Sequence, residues 1–227
     1  MNARCRTSGQ GSKARRVSLR GRLVDQAPGS FAYRARSRRW AMLCEEFPQL
    51  GDMHVVDLGG TPDTWRQAEV HPSHVTCVNL RFGGGEAPPW ITMVEADACQ
   101  AGDLGHFDLV FSNSTIEHVG GHARRNEFVA VVNALAPHHW VQTPNRYFPL
   151  EPHYVFPAAQ FLPTRQRAWV AQHWPLSNAG AVAGRNAREC VLEIELLSAT
   201  ELRHYFEESR IIRERVLGLT KSLIALR

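Results

Sequence analysis

The stretch "SNSTIEHVGG", residues 112–121, sets Glu117 next to His118. A histidine titrates near neutral pH, so His118 is a candidate general base, with Glu117 as its acidic neighbour. A second polar group lies in "TPNRYFPLEPHY", residues 143–154, where Arg146, Glu151 and His153 alternate with aromatic rings. Such a mixture suits a pocket that must orient a polar molecule. Both stretches also have a plainer reading. In it Glu117 and His118 only shape the loop before a helix, and the second stretch is a stiff lid tied together by its own polar groups. His138 and His139 are adjacent and precede a strand, which does not suit a metal, and no metal-ligand set is expected.

A third stretch concerns ligand binding. "HVVDLGGTPDTW", residues 54–65, is an apolar run ending in Asp57, followed by Gly59 and Gly60. A dinucleotide site would read GxGxxG and hold a pyrophosphate at a helix N-terminus. Here the glycines are adjacent and Asp63 would bring a carboxylate towards the phosphates. Thr61-Pro62-Asp63 reads instead as a helix start, with Thr61 as N-cap, Pro62 in the first position and an acid in the first turn. The glycines still let a ligand approach the backbone closely. A ligand without phosphates and with positive charge, such as S-adenosylmethionine, fits this loop better than a nicotinamide dinucleotide.

These loops need a scaffold, and the chain supplies an alternating one. Short apolar runs at 54–58, 75–80, 91–96 and 107–112, and again at "HHWVQT" (138–143), suit parallel strands buried on both faces. Helical patterns cover about 31–47 and 122–135, the latter ended by Pro137. Ser198 with Glu201 three residues later is a capping box, and "RIIRERV" and "KSLIALR" close the chain as two strands around Gly218. Residues 144–197, rich in proline and aromatics, break the rhythm as an insertion between the fifth strand and the last helix. The expected fold is α/β, a doubly wound sheet with its ligand beyond the carboxyl ends of the strands.

"VVDLGGTP", "VEADA", "FDLVFSNSTIEHVG" and "VQTPNRYFPLEPHYVFP", in this order, resemble the class I S-adenosylmethionine-dependent methyltransferases, in particular a bacterial small-molecule branch with a "DLGG" loop. The resemblance runs from about Phe31 to Arg227. It implies a Rossmann-like, doubly wound seven-stranded sheet, mostly parallel with the last strand antiparallel and helices on both faces. It also implies S-adenosylmethionine as cofactor. Carried over residue by residue, Asp57, Gly59, Gly60 and Thr61 form the loop along the amino-acid part of the cofactor. Asn79, where the family has an acid, meets the ribose, with Leu80 beside it. Asp97 and the Ala98 backbone face the adenine, and Asn113 and Ser114 lie nearest the transferable methyl. His118 and Glu117 follow as catalytic candidates, and Arg146, Glu151 and His153 as substrate candidates. Asp57 and Asp97 also read as simple turn caps.

The totals narrow the partners. The 227 residues carry a net charge of +4, but 11 of the 26 basic residues fall within residues 1–39 against a single acid, Asp25. The body is therefore mildly acidic, with 15 bases against 21 acids. Residues 1–30 are expected to be a disordered basic arm, and 31–227 the methyltransferase domain with its insertion at about 144–197. Five scattered cysteines without a CxxC pair suit a reduced, cytoplasmic protein. No run is long enough for a transmembrane helix, although "YVFPAAQFLP" and the arm leave peripheral membrane contact open. The expected acceptor is a small molecule or a glycan- or lipid-linked precursor, methylated on oxygen or nitrogen. Two rivals stand beside it, an RNA methyltransferase that uses the arm as a handle and a non-catalytic scaffold. The body lacks a basic stripe, which disfavours nucleic acid.

Overall fold

The computed structural model describes residues 31–177 and 185–227. The expected basic arm, residues 1–30, lies outside the described residues. Chain contacts divide the protein after Ala41, and the second unit, residues 42–227, carries every strand described below.

Helix α1 (Phe31–Glu46) leads into β1 (His54–Leu58), and α2 (Pro62–Arg66) follows it. Strands β2 (His74–Asn79), β3 (Ile91–Glu95) and β4 (Leu109–Asn113) come next, then α3 (His122–Leu135) and β5 (His138–Pro144). They form one seven-stranded sheet with two later strands, β8 (Arg210–Val216) and β9 (Leu219–Leu226), in the order β3-β2-β1-β4-β5-β9-β8. Neighbouring pairs from β3 to β5 are parallel. β9 runs antiparallel to both β5 and β8, so the last strand alone is reversed. This is the Rossmann-like arrangement that the resemblance implies. Leu217 and Gly218, both at positive φ, make the two-residue turn that joins β8 to β9.

The apolar runs become strands because each can be buried from two sides. Val56, Val110 and Val141 face α3, whose Phe128, Val132 and Leu135 are all fully buried. Burying a side chain of Phe128's size is worth about 2–3 kcal/mol. On the opposite face Phe111 meets the Trp65 ring of α2 edge-on, with centroids 5.1 Å apart. β3 departs from the expected two-sided burial: only Ile91 is buried, because the strand forms the edge of the sheet, and Thr92 and Met93, on opposite faces, are both exposed.

Among the described residues of 144–197 are a short hairpin of β6 (Leu150–Glu151) and β7 (Phe156–Pro157), then α4 (Thr164–His173) and α5 (Ala187–Leu192). Tyr154, Val170 and Val191 give it a small core of its own. The chain then enters α6 (Ala199–Tyr205), where Ser198 Oγ accepts from the Glu201 N–H at 3.2 Å and Glu201 Oε2 accepts from the Ser198 N–H at 2.7 Å. The capping box is present at both of its hydrogen bonds.

Candidate functional site

The carboxyl ends of β1, β2 and β4 meet around the glycine loop. Gly59 donates its N–H to the Val78 carbonyl at 2.7 Å and has φ +86°. A Cβ there would lie 2.2 Å from Thr115 Oγ1, and a Cβ on Gly60 would lie 1.8 Å from Asp57 Oδ2. Neither position has room for a side chain, so the loop backbone is bare where it faces the cavity. Asp57 is buried, and its carboxylate accepts the Trp65 indole N–H at 2.8 Å. Burial pushes its pKa up to about 7, against the downward pull of that hydrogen bond. Asp57 thus anchors α2 from beneath the loop. Thr61 is the N-cap of α2, followed by Pro62, but its side chain makes no capping hydrogen bond and is exposed.

At the end of β2, Asn79 Nδ2 donates to the carbonyls of Gly59 and Gly60, at 3.1 and 3.2 Å. Those two acceptors fix which end of the amide carries the hydrogens. The amide oxygen is thereby left to accept from a ligand. A carboxylate at this position could make neither loop contact. Leu80, 70% exposed, forms part of the wall beside it.

After β3, Asp97 Oδ1 accepts the Cys99 N–H at 2.9 Å, and Oδ2 pairs with Arg124. Burial raises its pKa, but the Cys99 N–H and then Arg124 outweigh that, and the carboxyl sits below its ordinary value. A cavity of about 250 Å³ opens here, lined by Gly59, Asn79, Asp97, Ala98, Ser114 and His118 among others. Ser114, at the end of β4, has φ +58°, an uncommon conformation for a residue with a side chain. Gln142 on β5 holds it there: the Ser114 N–H donates to the Gln142 carbonyl at 2.9 Å, and Oγ donates to Oε1 at 3.1 Å. Asn113 precedes it, in register with Gln142.

A chain of side chains leaves this cavity. His118 Nε2 and His153 Nε2 are 3.2 Å apart, and His153 Nδ1 donates to Glu151 Oε1 at 2.6 Å. Glu151 is buried and its other oxygen accepts the Tyr154 N–H at 2.7 Å. The packing around its ring nitrogens, and then the neighbouring His153, lower the pKa of His118 to about 4, although the side chain keeps an exposed edge. Burial also depresses His153, but the hydrogen bond and charge of Glu151 outweigh it, so that ring ends above its ordinary value. Beside them Glu117 is fully buried, with Oε2 accepting from the Thr143 hydroxyl at 2.9 Å. Its burial raises the pKa to about 7, in spite of that bond.

Glu151 also lines a second, larger cavity of about 880 Å³, together with Arg125, Arg146, Tyr154 and Arg167. The Glu151–His153–His118 chain therefore runs from one cavity to the other. Arg146 Nε donates to the Leu196 carbonyl at 2.7 Å, and its guanidinium pairs with Glu201 at 2.9 Å.

The structure thus gathers Gly59, Asn79, Leu80, Asp97, Ala98, Ser114 and His118 on one cavity, and Arg146 and Glu151 on the other. Asp57 stands behind the first cavity as support. Thr115 and Arg124 also line it, and sequence reasoning passed over both. Thr115 Oγ1 donates to the Leu58 carbonyl at 3.0 Å, a contact across 57 residues that no local pattern announces.

No family model and no curated protein matches this sequence. Solved structures do match in fold. The N-methyltransferase NodS from Bradyrhizobium japonicum WM9 is 11% identical, with 85% of this chain and 95% of NodS covered and a TM-score of 0.51. The 1,6-didemethyltoxoflavin-N1-methyltransferase from Burkholderia thailandensis, solved with S-adenosylhomocysteine, is 15% identical over 85% and 76%, at 0.50. Magnesium protoporphyrin IX methyltransferase (ChlM) from Synechocystis PCC 6803 is 13% identical over 86% and 82%, also at 0.50. The chain has the methyltransferase fold.

Proposed function

We propose that this protein is an S-adenosylmethionine-dependent methyltransferase of a small polar molecule, with a hydroxyl group as acceptor ahead of an amine. The observation that carries the reading is the cavity at the strand ends, where a side-chain-free glycine loop, the Asn79 amide and the Asp97–Ala98 turn line one space. The loop offers no phosphate cradle, and its bare backbone suits the amino-acid end of the cofactor. The Asn79 carbonyl oxygen accepts from a ribose hydroxyl, while Asp97 and Ala98 meet the adenine. The fold of this chain is also the one that holds S-adenosylhomocysteine in the toxoflavin methyltransferase.

Methyl transfer from a sulfonium needs the methyl carbon in line between sulfur and the nucleophile, and positioning supplies much of the acceleration. His118 stands at the rim of the cofactor cavity and is neutral at neutral pH, so a lone pair is available to the acceptor's proton. His153, backed by Glu151, is the stronger base behind it, and the two rings titrate as a unit. The larger cavity beyond Glu151 suits the body of the acceptor, since Arg125, Arg146 and Arg167 alternate there with acids.

Crystallisation with S-adenosylhomocysteine tests this assignment of residues. Adenine beside Ala98 and ribose at Asn79 are expected. A product bound elsewhere, or bound with Asn79 and Asp97 out of contact, overturns it.

A further inference from the structure

We infer that Glu117, His118 and His153 form a binding site for a divalent transition-metal ion, Zn²⁺ in the first instance, with a fourth position open. One ligand atom from each residue can be chosen so that all three lie within 4.8 Å of one another. The two imidazole Nε2 atoms are 3.2 Å apart. Two ligands on a tetrahedral zinc, at ~2.0–2.1 Å from the metal, are separated by about 3.3 Å.

The groups around these atoms already have the arrangement that metal-binding histidines use. A coordinating imidazole commonly gives its other N–H to a carboxylate or a backbone carbonyl, which fixes the tautomer and aims the free lone pair at the metal. His153 Nδ1 is committed to Glu151 at 2.6 Å. The two Nε2 atoms face each other, so that a shared proton or a cation lies between them.

Glu117 distinguishes the two. Its Oε2 is taken by Thr143, but Oε1 is buried without a hydrogen-bond partner among the described residues. A buried carboxylate oxygen left unpaired is costly, and a shared proton between the histidines does nothing for it. A cation held jointly by the three residues satisfies it. Two histidines and one carboxylate with an open position are the ligand set of a catalytic zinc or a non-haem iron, as distinct from a closed structural site. His118 is exposed and borders the strand-end cavity, so the open position faces that space. Spacing in the sequence conceals the set, because His153 lies 35 residues beyond His118. The inference stands on these ligand atoms and does not require that the protein transfers methyl groups; the base role of His118 belongs to the metal-free protein, since one imidazole nitrogen cannot hold a metal ion and take a proton at once.

The test uses the full chain, stripped with a chelator and titrated with Co²⁺ and then Zn²⁺. One Co²⁺ per chain with visible ligand-field bands, displaced by one Zn²⁺, is the expected result. His118→Ala and His153→Ala should each abolish the bands. Glu151→Gln, which weakens the partner of His153 and leaves all three ligands in place, should weaken Zn²⁺ by about 10–100-fold. His204→Ala removes a histidine outside the ligand set and should leave the Co²⁺ bands unchanged. His118 is exposed, so its alanine variant serves as the folding-safe case, checked by circular dichroism. Absence of the bands in the folded wild type, or their persistence in His118→Ala, overturns the site.

Discussion

Asn79 holds the loop carbonyl of Gly59 through its side-chain nitrogen at 3.1 Å, and the same nitrogen reaches Gly60 at 3.2 Å. The residue at the end of the second strand is therefore part of the glycine loop's architecture as well as its wall. Replacing its amide with a carboxylate should do harm. Asn79→Asp loses both hydrogen bonds, each worth about 1 kcal/mol, and sets a carboxylate against two carbonyls. A loss of about 2 kcal/mol in stability and at least tenfold weaker S-adenosylhomocysteine binding are predicted, read by denaturant unfolding and calorimetry. Tighter binding by Asn79→Asp would show that the loop contacts are incidental.

Gly60 is predicted to tolerate nothing larger. A methyl group there would overlap the Asp57 carboxylate, which is itself locked to Trp65. Gly60→Ala should cost about 1–3 kcal/mol through forced displacement of that buried pair, measured by urea unfolding. A change below ~0.5 kcal/mol would mean that Asp57 moves freely and does not anchor α2.

His118→Ala should separate binding from turnover. The imidazole meets His153 at the rim of the cavity, while the glycine loop, Asn79 and Asp97 remain untouched. Formation of S-adenosylhomocysteine with a productive acceptor should fall by at least about 100-fold, with cofactor affinity within a few-fold of wild type. Unimpaired turnover would remove His118 from the chemistry.

A pH effect on stability follows from His139, away from the site. The ring is buried between Phe206 and Ser209, with Nε2 2.7 Å from Ser209 Oγ. Burial, then the charge of Arg227, lowers its pKa to about 4. The folded protein thus keeps the ring neutral while the unfolded chain takes up a proton near pH 6.5, so this contribution is intact above ~6.5 and is lost as pH falls towards 4. Asp57 and Glu117 titrate with the opposite sign, so the comparison is between wild type and His139→Leu. The difference in unfolding free energy should narrow by up to about 3 kcal/mol between pH 7 and pH 4. A difference independent of pH would contradict the assignment.

The fold was largely legible because its strands are short apolar runs, and its helix starts carry local chemistry that needs no tertiary knowledge. Pro62 opens α2 and Ser198 caps α6 where the sequence indicates. The site was legible only where it lies at strand ends. Gly59, Asn79 and Asp97 could be found that way, but the reason for Asn79 is two backbone carbonyls some 20 residues earlier, which only the parallel pairing of β1 with β2 brings near. The meeting of His118 with His153 depends on a turn inside the insertion, where proline and aromatic residues disguise the hairpin and two helices. Contacts of that kind have no period to read.

Calorimetric titration of the full chain with S-adenosylhomocysteine tests the central claim most directly. The account predicts saturable binding at one site per chain in the micromolar range, at least as tight as for S-adenosylmethionine and weakened in Asn79→Asp. No heat of binding to either compound, from protein whose circular dichroism confirms the α/β fold, would contradict it and leave a methyltransferase-like scaffold in its place.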